Sequence, residues 1–233
     1  MKTVLFDLDG TLLQMEFSPF LRDYFSAISN HCRKLAAPQV FVKKLIASTT
    51  LMLHNEGLET NQEVFMKDFT NAIQVKEEEL SPLLEDFYAN EFPKLRAHAI
   101  FNNLSSLVLQ ETLARGWRIV IATNPLFPKL AIEERMRWAG IQDFPWTYVS
   151  SYENSSACKP NLFYYREIMD KLGLNPEECW MVGNDAQEDM IAGQLGFNTY
   201  LVTDYLIARE GAPQPKARGS LREFLTYMRE KIS

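Results

Sequence analysis

The chain has 233 residues, 46% of them hydrophobic, with a formal net charge of -6. That is enough apolar material for one substantial core, or for a core domain with a smaller second module. The acidic balance and the lack of any Lys/Arg-rich run argue against a nucleic-acid or anionic-membrane surface, and no apolar run approaches the roughly 20 residues of a bilayer-spanning helix.

Two aspartates stand in "TVLFDLD", where a signal peptide would carry its apolar region, so a cytoplasmic protein is expected. Cys32, Cys158 and Cys179 are far apart and form no CxxC pair, which predicts structural thiols rather than a disulfide framework or zinc site. His31, His54 and His98 are too scattered to suggest a His-based metal site.

In chain order, "TVLFDL" predicts a buried strand. Residues 14–95 then carry apolar side chains at helical spacing, with Gly57 the lone glycine and no strand expected. "SPFLRDYFSAISNHCRKL" predicts a helix with Ser18 as N-cap and Pro19 at its first position. A second helix is expected in "PQVFVKKLIASTTLMLH", and a third in "TNQEVFMKDFTNAI", opened by a Thr60–Glu63 capping box. The fourth, "KEEELSPLLEDFYANEF", is expected to break near Ser81-Pro82.

From residue 96 the chain alternates. A helix ends at Gly116, and the strand "WRIVIATN" follows. A helix closed by Gly140 leads to the strand "WTYVSS". The helix "NLFYYREIMDKLG" precedes the strand "CWMVGND". A helix in "EDMIAGQLG", the strand "NTYLVTD", a turn-rich connector "GAPQPKARGS" and a C-terminal helix complete the chain. Strands alternating with helices predict an α/β fold: a Rossmann-like parallel sheet covered on both faces. The expected division is a core of residues 1–13 and 96–233 with an all-helical insertion at 14–95.

Ligands of an open parallel sheet bind at the carboxyl ends of its strands. Those ends carry Asp7 and Asp9 with Gly10 and Thr11; Thr123 and Asn124; Lys159; and Asn184, Asp185 and then Asp189. Carboxylates brought this close repel unless a cation lies among them. Oxygen donors without His or Cys favour a hard ion, Mg²⁺. The lysine and the threonine hydroxyl would then help cage a small dianion such as phosphate. One carboxylate can attack phosphorus, and a second two residues away can protonate the leaving oxygen.

The four stretches "FDLDGTLL", "IATN", "CKPNLF" and "VGNDAQEDMIAGQLG" resemble, in order, the motifs of the haloacid dehalogenase superfamily in its Mg²⁺-dependent phosphatase branch. The position of the helical insertion is similar to that of the family's helical C1-type cap. The resemblance implies Asp7 as nucleophile and metal ligand, and Asp9 as general acid/base with its carbonyl on the metal. It implies Thr123 and Lys159 on the phosphoryl group, Asp185 on Mg²⁺, and Asp189 in support. Asn124 is expected to shape its loop within reach of phosphate, and Gly10 to permit the turn after Asp9.

The family's usual Val-Gly-Asp is replaced here by Val-Gly-Asn, so either Asp185 or Asp189 could be the direct ligand, with Asp185 favoured and Asn184 in support. Phe17, Phe20, Tyr24 and Phe25 are expected in the core, and Met15 and Glu16 are weak candidates for facing a substrate. The implied activity is hydrolysis of a small-molecule phosphate ester. The alternatives are a phosphomutase or other phosphotransferase, a dehalogenase, a phosphonatase, and a non-catalytic binding protein on the same fold.

Overall fold

The computed structural model describes residues 1–232. The first half contains β1 (Thr3–Phe6), β2 (Gln14–Met15), α1 (Phe17–His31), α2 (Pro38–Leu53), α3 (Asn61–Ile73), α4 (Glu77–Asp86) and β3 (Ala99–Ile100). The second contains α5 (Leu104–Ala114), β4 (Arg118–Ile121), α6 (Lys129–Trp138), β5 (Tyr148–Val149), α7 (Leu162–Leu172), β6 (Cys179–Gly183), β7 (Asn198–Val202), β8 (Ala217–Gly219) and α8 (Leu221–Lys231).

Six parallel strands form one sheet in the order β5-β4-β1-β6-β7-β8. Its apolar residues divide between two faces with the period of two that a pleated strand imposes. Val4, Phe6, Ile119, Ile121, Trp180 and Val182 join one core cluster, with α5 and α8. Leu5, Val120, Cys179 and Met181 join the other, with α7. The α/β reading with a doubly covered parallel sheet is therefore correct. β1 lies between β4 and β6, so the winding reverses at β1, which is the switch point where such sheets open a crevice.

The structure corrects several local expectations. Residues 190–195 form a 3₁₀ segment rather than an α-helix. Gly193 lies within it and Gly196 follows at φ 95°, and glycine weakens helix propagation. The connector "GAPQPKARGS" contains β8, an edge strand too short to leave an alternating pattern. β2, shorter still, pairs antiparallel with β3, setting Met15 opposite Ala99 where the chain enters and leaves the helical segment.

α1 begins at Phe17, not after Ser18. Pro19 still falls in the first turn, where its missing N–H has no carbonyl to serve. α4 runs through Pro82 and changes only at Phe87, into a π turn and then a 3₁₀ segment ending at His98. The Thr60–Glu63 capping box forms as its spacing predicts, Thr60 N donating to Glu63 Oε2 at 2.7 Å and Glu63 N to Thr60 Oγ1 at 3.2 Å.

The helical segment shares one aromatic core with α6 and the loop that follows β4. Tyr24 lies 5.3 Å from Phe127, Phe20 6.2 Å from Trp138, and Phe92 stacks on Trp138 at 5.3 Å, ring centre to ring centre. Buried Asn61 at the start of α3 adds a polar tie, its Nδ2 donating to the Pro125 and Ala157 carbonyls at 3.2 and 3.3 Å. The three cysteines are free and buried, as expected of structural thiols, and burial pushes the Cys158 thiol up to about 12. Among the described residues no helix is long and apolar enough to cross a membrane.

Candidate active site

The register of β1 against its neighbours sets Phe6 beside both Ile121 and Val182, so the residues that follow these three share one rim. Asp7 continues the ladder for one bond, its N–H donating to the Val182 carbonyl at 2.9 Å, and then the chain turns away. Gly10 makes that turn at φ 81°, and a Cβ there would lie 2.3 Å from Asn184 Nδ2, so both conformation and space require glycine.

Asp7 is buried. Its Oδ1 accepts from Lys159 Nζ at 2.9 Å and its Oδ2 from Thr11 Oγ1 at 3.3 Å. Lys159, 1% exposed, also donates to Asp189 Oδ1 at 2.6 Å. Burial works against the ammonium charge, but the Asp189 and Asp7 carboxylates hold its pKa well above the usual range. A lysine set before a helix needs an anionic partner, and here it has two.

Asp189 Oδ2 accepts from the backbone N–H of Asp185 at 2.9 Å, so both its oxygens are engaged. It fits there only because residue 183 lacks a side chain: a Cβ on Gly183 would lie 2.1 Å from Asp189 Oδ2 and 2.3 Å from its Cγ. Gly183→Ala must displace the aspartate from Lys159. The expected result is a loss of about 1–3 kcal/mol, read as a lower urea midpoint with an unchanged slope.

Asp185 is buried and accepts on Oδ1 from the N–H groups of Gln187 and Glu188, both at 2.9 Å. Arg209 Nη1 approaches its Oδ2 at 3.2 Å. Asn184 has a tying role: its Nδ2 donates to the Tyr205 carbonyl at 2.6 Å and its Oδ1 accepts from Thr11 Oγ1 at 3.2 Å. Asn124 Nδ2 donates to Glu188 Oε2 at 3.0 Å and to the Lys159 carbonyl at 3.3 Å. Thr123 is buried at the exit of β4, its carbonyl accepting from Ser150 Oγ and Tyr164 OH, both at 2.9 Å.

Asp9 accepts on Oδ2 from Arg135 Nη1. Arg135 is 1% exposed, and its guanidinium lies 4.5 Å from the Phe127 ring centre. Burial pushes the Asp9 carboxyl up, and Arg135 opposes that shift. These groups surround a cavity of about 450 Å³, within the range of small-molecule sites. The structure thus brings Asp7, Asp9, Thr123, Asn124, Asp185 and Asp189 to one cavity, with Lys159 bridging two of them beneath it.

Residues 1–196 match the family model described as a haloacid dehalogenase-like hydrolase. The chain belongs to the haloacid dehalogenase-like hydrolases. No curated protein sequence matches it. Among solved structures it is similar to a phosphatase of this family from Thermococcus onnurineus, at 19% identity and TM-score 0.60 over 98% of both chains. It is similar to an L-2-haloacid dehalogenase from Xanthobacter autotrophicus carrying covalently bound chloropropionic acid, at 14% identity and TM-score 0.61 over 99% of both. A third likeness is to the putative hydrolase YfnB from Bacillus subtilis bound to magnesium, at 18% identity and TM-score 0.57 over 99% of both. At these identities the likeness establishes the fold.

The donor set of this hydrolase fits a hard cation in kind. Among the described residues no three His, Cys, Asp or Glu side chains form a ready cage. Mg²⁺, however, is usually held by one or two carboxylates and completed by water and substrate phosphate. Asp7 and Asp185 supply two carboxylates on one cavity, the Asp9 carbonyl belongs to the turn that follows Asp7, and Asp9 Oδ1 is buried without a partner.

Sequence reasoning missed three charged contributors. Arg135 and Arg209 pair with Asp9 and Asp185, and Glu188, whose carboxyl burial pushes up, holds Asn124. Phe17 packs half-buried against the core, as expected, and also lines the cavity, together with Met15 and Glu16. Arg135 had a readable signal. It stands three residues from both Ile132 and Trp138 in α6, a charge inside an apolar stripe.

Proposed function

We propose that this hydrolase is a Mg²⁺-dependent phosphatase that cleaves a small-molecule phosphate monoester through an aspartyl-phosphate on Asp7. In this reading the helical segment 14–95 is a cap over the catalytic core formed by 1–13 and 96–233. One observation carries the proposal: a second carboxylate, Asp9, stands on the same cavity as Asp7, half-buried and paired with the buried Arg135. A halide leaves as a stable anion and needs no proton, so a dehalogenating nucleophile needs no general acid beside it. An alkoxide leaving from phosphorus does need one.

A carboxylate oxygen of Asp7 bonds to phosphorus as the P–O ester bond breaks, and Asp9 gives its proton to the leaving oxygen. Asp9 then takes a proton from water. That water attacks phosphorus, breaks the bond to Asp7 and releases inorganic phosphate, so one water is consumed per ester. Lys159 has three ammonium protons, of which Asp7 and Asp189 engage two. The third, with the Thr123 hydroxyl, is available to the phosphoryl oxygens. Mg²⁺ held by Asp7, Asp185 and the Asp9 carbonyl would neutralise the charge that develops on the phosphoryl group. Asp189, fully buried against Lys159, supports the lysine, whereas the Oδ2 of Asp185 meets only the exposed Arg209, so in this reading the metal falls to Asp185.

The test is a panel of sugar phosphates, nucleotides, phosphoglycolate and p-nitrophenyl phosphate, assayed for phosphate release with Mg²⁺. Activity is expected to disappear with EDTA and to return with Mg²⁺, and 2-chloropropionate should release no halide. Metal-independent halide release without phosphatase activity would overturn the reading.

A further inference from the structure

The cavity lining has two chemically different parts. Asp7, Thr123 and Asp185 follow the ends of β1, β4 and β6, where a phosphoryl group must lie to meet Asp7. In an in-line displacement the leaving group stands on the side of phosphorus away from the nucleophile. The rest of the lining is rich in apolar side chains: Met15 and Phe17 from the helical segment, Leu126 from the loop after β4, and Leu206 and Ile207 from the loop between β7 and β8.

Leu206 and Ile207 are 41% and 40% exposed. Scattered exposed apolar residues are ordinary on a surface, but this pair is held in place beside a cavity. The Ile207 N–H donates to the Asn184 carbonyl at 2.9 Å, and the Ala186 N–H donates to the Ile207 carbonyl at 2.8 Å. Gln187 extends the row. Its Nε2 donates to the Arg209 carbonyl at 2.7 Å, and its Oε1 accepts from the Arg209 N–H at 3.1 Å. The loop is thereby strapped to the turn that carries Asp185, and its apolar side chains keep a fixed place in the cavity wall.

The charge of the lining points the same way. Six of its side chains are carboxyl groups, Asp7, Asp9, Glu16, Asp185, Glu188 and Asp189. Its two arginines, Arg135 and Arg209, each already face one of those aspartates. With a phosphate dianion bound, a second anionic group on the substrate would meet more carboxylate than cation.

We infer that the leaving group of the substrate is uncharged and mainly apolar, an alkyl or aryl alcohol, selected by Leu206 and Ile207 together with Phe17. The inference rests on the phosphatase reading and narrows it, because sugar phosphates and phosphorylated acids then become poor substrates.

The experiment measures kcat/KM with Mg²⁺ for ethyl, butyl and hexyl phosphate. Their leaving alcohols are nearly equal in acidity, so the trend reports burial of the chain. Each methylene taken out of water is worth about 3–4-fold, and a rise of at least about 30-fold from ethyl to hexyl phosphate is expected. Hexyl phosphate should exceed glucose 6-phosphate, which has as many carbons, by at least about 10-fold. Glycerol 3-phosphate should exceed 3-phosphoglycerate, which adds a carboxylate, by about the same factor. The double variant Leu206→Ser with Ile207→Ser alters exposed side chains and keeps every backbone bond of the loop. It should cut the hexyl-to-ethyl ratio at least about 5-fold and leave ethyl phosphate within about 2-fold of the native rate.

A flat alkyl series in the native enzyme, or a preference for glucose 6-phosphate or 3-phosphoglycerate, overturns the inference and leaves the phosphatase reading standing. A rising series that the double variant does not change refutes the assignment to Leu206 and Ile207. No hydrolysis of any ester overturns both readings. The native series does not depend on the variant folding.

Discussion

Asp7→Asn is expected to lower Mg²⁺-dependent phosphate release by on the order of 10³-fold or more, with little change in folding stability. The amide has almost the shape of the carboxylate and keeps an oxygen for Lys159, which retains Asp189 as its counter-ion. What it lacks is a nucleophilic oxygen anion. The loss should fall on kcat for every ester in a panel, because the step removed is common to all of them. A matching measurement is acid quenching during turnover, where the native enzyme should gain the mass of one phosphoryl group on the peptide containing Asp7 and the variant should not. Full phosphatase activity in Asp7→Asn would rule out the aspartyl-phosphate route.

Lys159→Met carries the largest expected effect on stability. Lys159 is buried between the carboxylates of Asp7 and Asp189, which are themselves buried. Removing one member of a buried charge set leaves the others uncompensated, at a cost of about 3–5 kcal/mol. A large fall in the urea midpoint is expected, together with loss of activity. Adding Asp189→Asn to Lys159→Met removes one of the stranded charges, so the double variant should be more stable than Lys159→Met alone. A native midpoint for Lys159→Met would show that the two carboxylates do not depend on the lysine.

The residues at the strand ends were legible because each sits where chain direction and chemistry coincide: a buried strand that stops at Asp7, a lysine before α7, acids after β6. Their partners were less so. Lys159 lies 152 residues from Asp7, and no local pattern states that the two meet. Arg135 lies on a helix that reads as amphipathic, where a charge defaults to solvent, and only its place in the apolar stripe hinted otherwise. Arg209 lies between β7 and β8 with no periodicity to mark it. The helices were legible where capping was local, as at Thr60. They were misjudged where glycine content or neighbouring packing decided the outcome, at residues 190–195 and at Pro82. β2 and β8, at two and three residues, are products of tertiary pairing rather than of local preference.

The central position of β1 bears on how the chain is made. β1 is synthesised before the other strands of its sheet, yet both its partners, β4 and β6, lie more than a hundred residues downstream. The aromatic core that closes the helical segment likewise waits for Phe127 and Trp138. Asp7 therefore stays hydrated through most of synthesis, because the water that solvates it cannot be displaced before Lys159 and Asp189 exist to replace it. The reactive end of β1 is written early and assembled last, in the long-range closure that sets the pace of folding for such topologies.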